Sequence, residues 1–97
     1  MLFVIHCLDH PGKVADRLAH YDAHKSYLST APMTSVVSGP LLADDHEAMI
    51  GSMFIVEAES FEAVKEFNAN DPFNAAGIWQ DIRIHPFSMR VDNRGAR

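Results

Sequence analysis

Cysteine is scarce: Cys7 is alone among 97 residues. A disulfide framework within the chain and any multi-cysteine metal site are therefore excluded. Cations are few as well. Eight Lys and Arg stand against 13 Asp and Glu, the net charge is -5, and the basic residues are scattered. That excludes a nucleic-acid binder working through a basic face. No stretch approaches the ~20 apolar residues of a membrane-spanning helix. The opening Met1-Leu2-Phe3-Val4-Ile5-His6 has no basic n-region, too short an apolar run for a signal peptide, and no small-residue cleavage site after it. The expectation is a soluble, cytoplasmic protein that engages neither nucleic acid nor membrane.

What is present is an ordinary globular composition, 47% hydrophobic and 22% charged, too apolar for intrinsic disorder. The length allows one domain, over residues 1–91, with a polar tail at 92–97.

Residues 1–8 read as a strand, a nearly unbroken run of apolar residues including Phe3, Val4, Ile5, Cys7 and Leu8. Asp9-His10-Pro11-Gly12 is a loop. A helix follows over 13–30: Val14, Leu18, Tyr21 and Leu28 fall on one face and form the expected buried stripe, and Pro32 ends it. A second strand runs over about 34–42, interrupted by Ser38-Gly39-Pro40. A polar connection at 43–47 leads to a third strand over about 50–58. Ser60 is the expected N-cap of a second helix, 61–69, with Phe61, Val64 and Phe67 as its apolar face. Asp71-Pro72-Phe73-Asn74-Ala75-Ala76-Gly77 reads as a short capped turn of helix closed by glycine. A last strand over about 78–90 carries Ile82 and Ile84 on one phase, Trp79 and Phe87 on the other. Pro86 implies that it leaves the sheet interior, or runs along an edge, from there on.

The order β-α-β-β-α-β is the ferredoxin-like, α+β arrangement, a four-stranded antiparallel sheet with two helices on one face. Two helices cover one face only, yet both phases of the strands are apolar: Phe3, Ile5 and Cys7 against Leu2, Val4 and Leu8, and Phe54 and Val56 against Met53 and Ile55. Leaving the second face wet forgoes several kcal/mol at ~25 cal/mol per Å2. A twofold homodimer, sheet against sheet, is the expected solution, with a tail folded over the sheet as the alternative.

On the first helix Arg17, His20 and His24 flank the apolar stripe, a wall suited to an anionic or phenolic small molecule. His20 and His24 have the i, i+4 spacing of metal ligands, but no Glu follows His20 and there is no third ligand; no metal and no cofactor are expected. His24 lies nearer the stripe and can exchange protons if a carboxylate is close. Asp71 before Pro72 is a natural N-cap and can also orient His24. Gly39 marks a bend or a close approach of ligand or backbone. Cys7 reads as an inert buried thiol.

Arg17 and His24 followed by Tyr27-Leu28, then Gly39-Pro40, then Asp71-Pro72-Phe73 and Gly77, in this order and at these spacings, resemble the YciI-like (YCII-related) proteins over essentially the whole chain. The resemblance implies a dimeric α+β barrel of ferredoxin-like subunits and a pocket lined by a His and an Asp, here His24 and Asp71. One branch of the family removes chloride from a chlorinated hydroxyhydroquinone with such a pair and without a metal. Nothing in this sequence identifies a chlorinated substrate. The family often has Leu directly after the His, and here Lys25 stands there, in the predicted stripe, where it either snorkels to the edge or lines the pocket and shifts the ligand preference towards anions.

The reading that follows is a cofactor-independent lyase- or isomerase-type enzyme acting on a small polar or phenolic molecule. His24 moves a proton, Asp71 orients it, Arg17 holds an anionic group, and Ser38, Gly39, Pro40 and Phe73 line the substrate site. The alternative is a non-catalytic ligand-binding or assembly module.

Overall fold

Alternation in the strands decides the layers. In the computed structural model, which describes residues 1–95, the elements are β1 (Leu2–Asp9), α1 (Val14–Thr30), β2 (Thr34–Leu42), β3 (Met49–Glu57), α2 (Phe61–Ala69), α3 (Pro72–Ala75) and β4 (Trp79–Phe87). The strands form one antiparallel sheet in the order β2-β3-β1-β4. This is the ferredoxin-like arrangement expected from the sequence. β1 lies inside the sheet, between β3 and β4. Phe3, Ile5 and Cys7 are buried beneath the helices with Phe54 and Val56 of β3, while Leu2, Val4 and His6 are half-buried on the outer face. Among the described residues no helix is long and apolar enough to cross a membrane.

Local chemistry sets the helix boundaries. The Ser60 hydroxyl accepts a hydrogen bond from the Ala63 N–H at 3.1 Å, capping α2. The Asp71 carboxylate accepts from the Phe73 N–H at 2.8 Å, Pro72 occupies the first turn of α3, and Gly77 follows at φ 69°.

Three expectations change. The stripe of Val14, Leu18 and Tyr21 does not face the core; these residues are largely exposed, and the buried residues of α1 are Arg17 and His24. The helix is drawn in by polar ties instead. Arg17 pairs with Asp9, His24 with Asp71, and the Tyr27 hydroxyl donates to the Phe67 carbonyl at 2.7 Å, while Tyr27, Leu28 and Ala31 supply the apolar packing. Trp79 does not share a face with Phe87. The β1–β4 register shifts between Leu8 and Asp9, so Asp9 opposes Trp79 and Gln80 is the extra residue. That shift turns the indole into the helix-side core against His24, Phe54 and Phe73. The close backbone approach considered for Gly39 occurs at Gly51, where a Cβ would overlap the Cys7 carbonyl oxygen; a Cβ at Gly39 would meet open space.

β4 is an edge strand, as Pro86 indicated, and ends at Phe87. Beyond it the chain returns toward the far edge, where Arg94 pairs with Asp92 and donates to the Val36 carbonyl at 3.4 Å. Residues 96 and 97 of the tail lie outside the described residues.

Cys7 is fully buried, and burial pushes its thiol from the ordinary 9.0 up to about 12. The native protein is expected to resist thiol reagents at neutral pH and to react fully once unfolded. Because the folded state disfavours the thiolate, this stability is intact below pH 9 and falls as pH rises from 9 toward 12, by at most about 1.4 kcal/mol per pH unit. Alkaline denaturation curves of wild type and Cys7→Ala check the sign: the slope should flatten in the variant.

Candidate functional site

The polar ties that seat α1 also build a cavity. The space between α1 and the edge strand β2 holds a cavity of about 380 Å3, a volume in the range of small-molecule sites. Leu18, Tyr21, Lys25 and Leu28 of α1 form one wall, so the apolar stripe read from the sequence faces the cavity. Ser38, Gly39 and Pro40 of β2 form the opposite wall. Ser52 and Phe54 of β3, with Phe73, Arg17 and His24, also line it.

His24 Nδ1 lies 2.8 Å from Asp71 Oδ1, in a buried setting. The same oxygen accepts the Phe73 N–H. An ionised carboxylate can only accept, so the bond to it requires the hydrogen on Nδ1. Nε2 has no hydrogen-bond partner among the described residues and is the nitrogen left for the cavity that His24 lines. The imidazole stacks on Phe73 at 4.0 Å and 4°, and Trp79 meets it edge-on at 6.4 Å. Ring orientation and tautomer are thus fixed by one carboxylate and two aromatic neighbours. The arrangement can take a proton at Nε2, and the carboxylate would stabilise the resulting imidazolium.

Arg17 is differently placed from the sequence expectation. Its guanidinium makes a two-point ion pair with Asp9, through Nε to Oδ2 and through Nη2 to Oδ1 at 2.9 Å, and Nη2 also donates to Ser52 Oγ at 2.7 Å. Both side chains of the ion pair are 4% exposed. Arg17 lines the cavity, but its charge is balanced by Asp9, which removes the argument that it holds an anionic ligand. The guanidinium also lies 5.0 Å from the Phe73 ring centre.

His20 does not join His24. Its Nδ1 bonds the Asp16 carbonyl at 2.9 Å. Sequence reasoning missed Asp9 and Ser52, because the first looked like a loop residue and the second like a strand filler. Leu18 and Tyr21, read from the sequence as core, line the cavity, whereas Leu28 lines it and also packs against the core. The only signal for Asp9 was a carboxylate at the end of a strand eight residues before an Arg on the helix flank.

The model of the YCII-related domain matches residues 1–88. An uncharacterized protein from Haemophilus influenzae is 32% identical over 94 residues, covering 90% of this chain and 96% of that one. Protein YciI from Escherichia coli is 31% identical over the same length and coverage. Among solved structures, 5-chloro-2-hydroxyhydroquinone dehydrochlorinase (TftG) from Burkholderia phenoliruptrix, in complex with 2,5-dihydroxybenzoquinone, is similar at a TM-score of 0.81 and 36% identity, over 91% of this chain and 94% of that chain. The chain belongs to the YCII-related family.

Proposed function

We propose that this protein is a cofactor-independent enzyme of lyase or isomerase character, acting on a small phenolic or enolisable molecule bound between α1 and β2. The observation that carries this is the buried 2.8 Å bond between His24 Nδ1 and Asp71 Oδ1 in the wall of an apolar cavity. In this reading Nε2 takes a proton from a substrate O–H or C–H. The electron pair released forms a carbonyl or double bond. The proton then returns to another carbon, giving an isomer, or a leaving group departs with its electron pair, giving a lyase product. Asp71 orients the ring and stabilises the imidazolium; Phe73 and the backbone around Gly39 border the ligand. The similarity to TftG supports a hydroxylated ring as the first substrate class to try. Cytoplasmic residence, expected from the sequence, belongs to the same reading.

The test is a panel of hydroquinones and hydroxyhydroquinones, beginning with 5-chloro-2-hydroxyhydroquinone, followed for turnover and separately for binding. Turnover that disappears in His24→Asn supports the enzyme reading. A compound that binds in the cavity with no turnover, while no other member of the panel reacts, favours the binding module.

We further read the protein as a homodimer joined through the outer faces of two sheets. Leu2, Val4, Val37, Leu41, Met53 and Ile55 share that face through the strand register and are only half-buried in one chain. Covering them with a second copy buries apolar surface that one chain leaves wet. Sedimentation equilibrium should return twice the chain mass of 10.8 kDa, and Val4→Glu should return the single mass.

A further inference from the structure

The charges lining the cavity are unequal in their availability. Arg17 is bound at two points by Asp9, and His24 is tied to Asp71. No acidic side chain lines the cavity. Lys25 lines it and forms no ion pair among the described residues. Asp22, one turn earlier on the same helix, does not come within ion-pair distance of it. Lys25 therefore sits in the stripe Leu18, Tyr21, Lys25, Leu28, at spacings of three, four and three residues, and is the cation of the helix wall that no carboxylate pairs among the described residues, Arg17 and His24 being tied to Asp9 and Asp71. His24 lines the same cavity, so a ligand that brings a proton to Nε2 lies in the cavity that Lys25 borders.

An apolar wall with a single free cation selects for a flat apolar body with one anionic substituent. The ring is desolvated against Phe54, Leu28 and Phe73, and the anion meets the ammonium in a charge-assisted hydrogen bond. We infer that Lys25 is a specificity-determining residue and that the cavity prefers aromatic or enolic ligands carrying a carboxylate over their neutral counterparts. This deepens the proposed enzyme reading and rests on it where such ligands are taken as substrates; the binding preference itself does not. Lys25 is exposed at the cavity mouth, so the preference should weaken with added salt, as expected of a solvent-screened charge.

A matched pair of probes isolates the effect. Hydroquinone and 2,5-dihydroxybenzoate differ by one carboxylate, and their dissociation constants can be measured by amide shift perturbation or calorimetry at low ionic strength. Wild type should bind the carboxylate about tenfold more tightly, the difference of one good charge-assisted contact. Lys25→Leu, an exposed helix position where Leu has similar helix propensity, should bring the ratio close to one. Lys25→Arg should keep most of it. The inference is overturned if Lys25→Leu retains the wild-type ratio, if wild type shows no preference, or if neither compound perturbs the cavity amides at millimolar concentration. Because the titration reads binding alone, the two readings fail separately. Turnover of neutral hydroquinones with no carboxylate preference sinks this inference and leaves the enzyme reading intact. A preference that vanishes in Lys25→Leu, in a protein with no turnover, does the reverse.

Discussion

Turnover should fall about 10²–10⁴-fold when His24 becomes Asn, the range expected for loss of a positioned proton-transfer group. Asn retains a polar head near Asp71 but offers no base toward the cavity. The Asp71 variants separate positioning from capping. Asp71→Asn keeps an amide oxygen that can accept the Phe73 N–H, so α3 should survive with a change in stability below about 1 kcal/mol. The charge that stabilises the imidazolium is gone, and so is the carboxylate that requires the hydrogen on Nδ1. Turnover should therefore drop while the unfolding midpoint hardly moves. Nitrogen-15 spectra add a readout that a structural role alone would not shift: wild-type His24 should carry its hydrogen on Nδ1, and Asp71→Asn should lose that bias. If turnover and stability decline in step, Asp71 is only a cap and the catalytic assignment is wrong.

The second large effect is on stability. Removing Arg17 leaves Asp9 with a buried, unpaired charge, and removing Asp9 does the same to Arg17. Arg17→Met should cost about 3–5 kcal/mol in urea unfolding, as should Asp9→Leu, because breaking a buried ion pair strands the surviving ion. The double variant should recover much of that loss, since a well-packed apolar pair replaces two ions together. Had Arg17 served to hold a substrate anion, Arg17→Met would leave unfolding within 1 kcal/mol of wild type and act on binding alone. That outcome would return Arg17 to the role the sequence suggested.

The features legible in the sequence share a cause. The order of elements along the chain, the Ser60 and Asp71 caps, Pro72 in the first turn of α3 and Gly77 after it rest on chemistry within a few residues. Outer-face apolarity was legible for the same reason, since alternation is a local pattern. What the sequence hid depended on distant partners. The α1 stripe has the periodicity of a buried face, but periodicity cannot say whether the face meets a core or a cavity; here Leu18, Tyr21 and Leu28 line the cavity. Asp9 became a partner of Arg17 only once the β1–α1 connection folded back. Trp79 reads onto the face of Phe87 by simple alternation, but one extra residue opposite the end of β1 reverses the phase of everything before it. His24 and Asp71 were both nameable, yet 47 residues separate them and only the fold brings them to 2.8 Å.

Asp71 Oδ1 serves the Phe73 N–H and His24 at once. The four-residue α3 is too short to persist alone, so the carboxylate position and the turn stand or melt together. A competent base can then exist only in molecules whose α3 is wound. Exchange of the Phe73 amide with deuterium becomes a clock for how often the site comes apart. Substitutions at Pro72 or Gly77, which touch no ligand, should speed that clock and slow turnover by the same opening equilibrium.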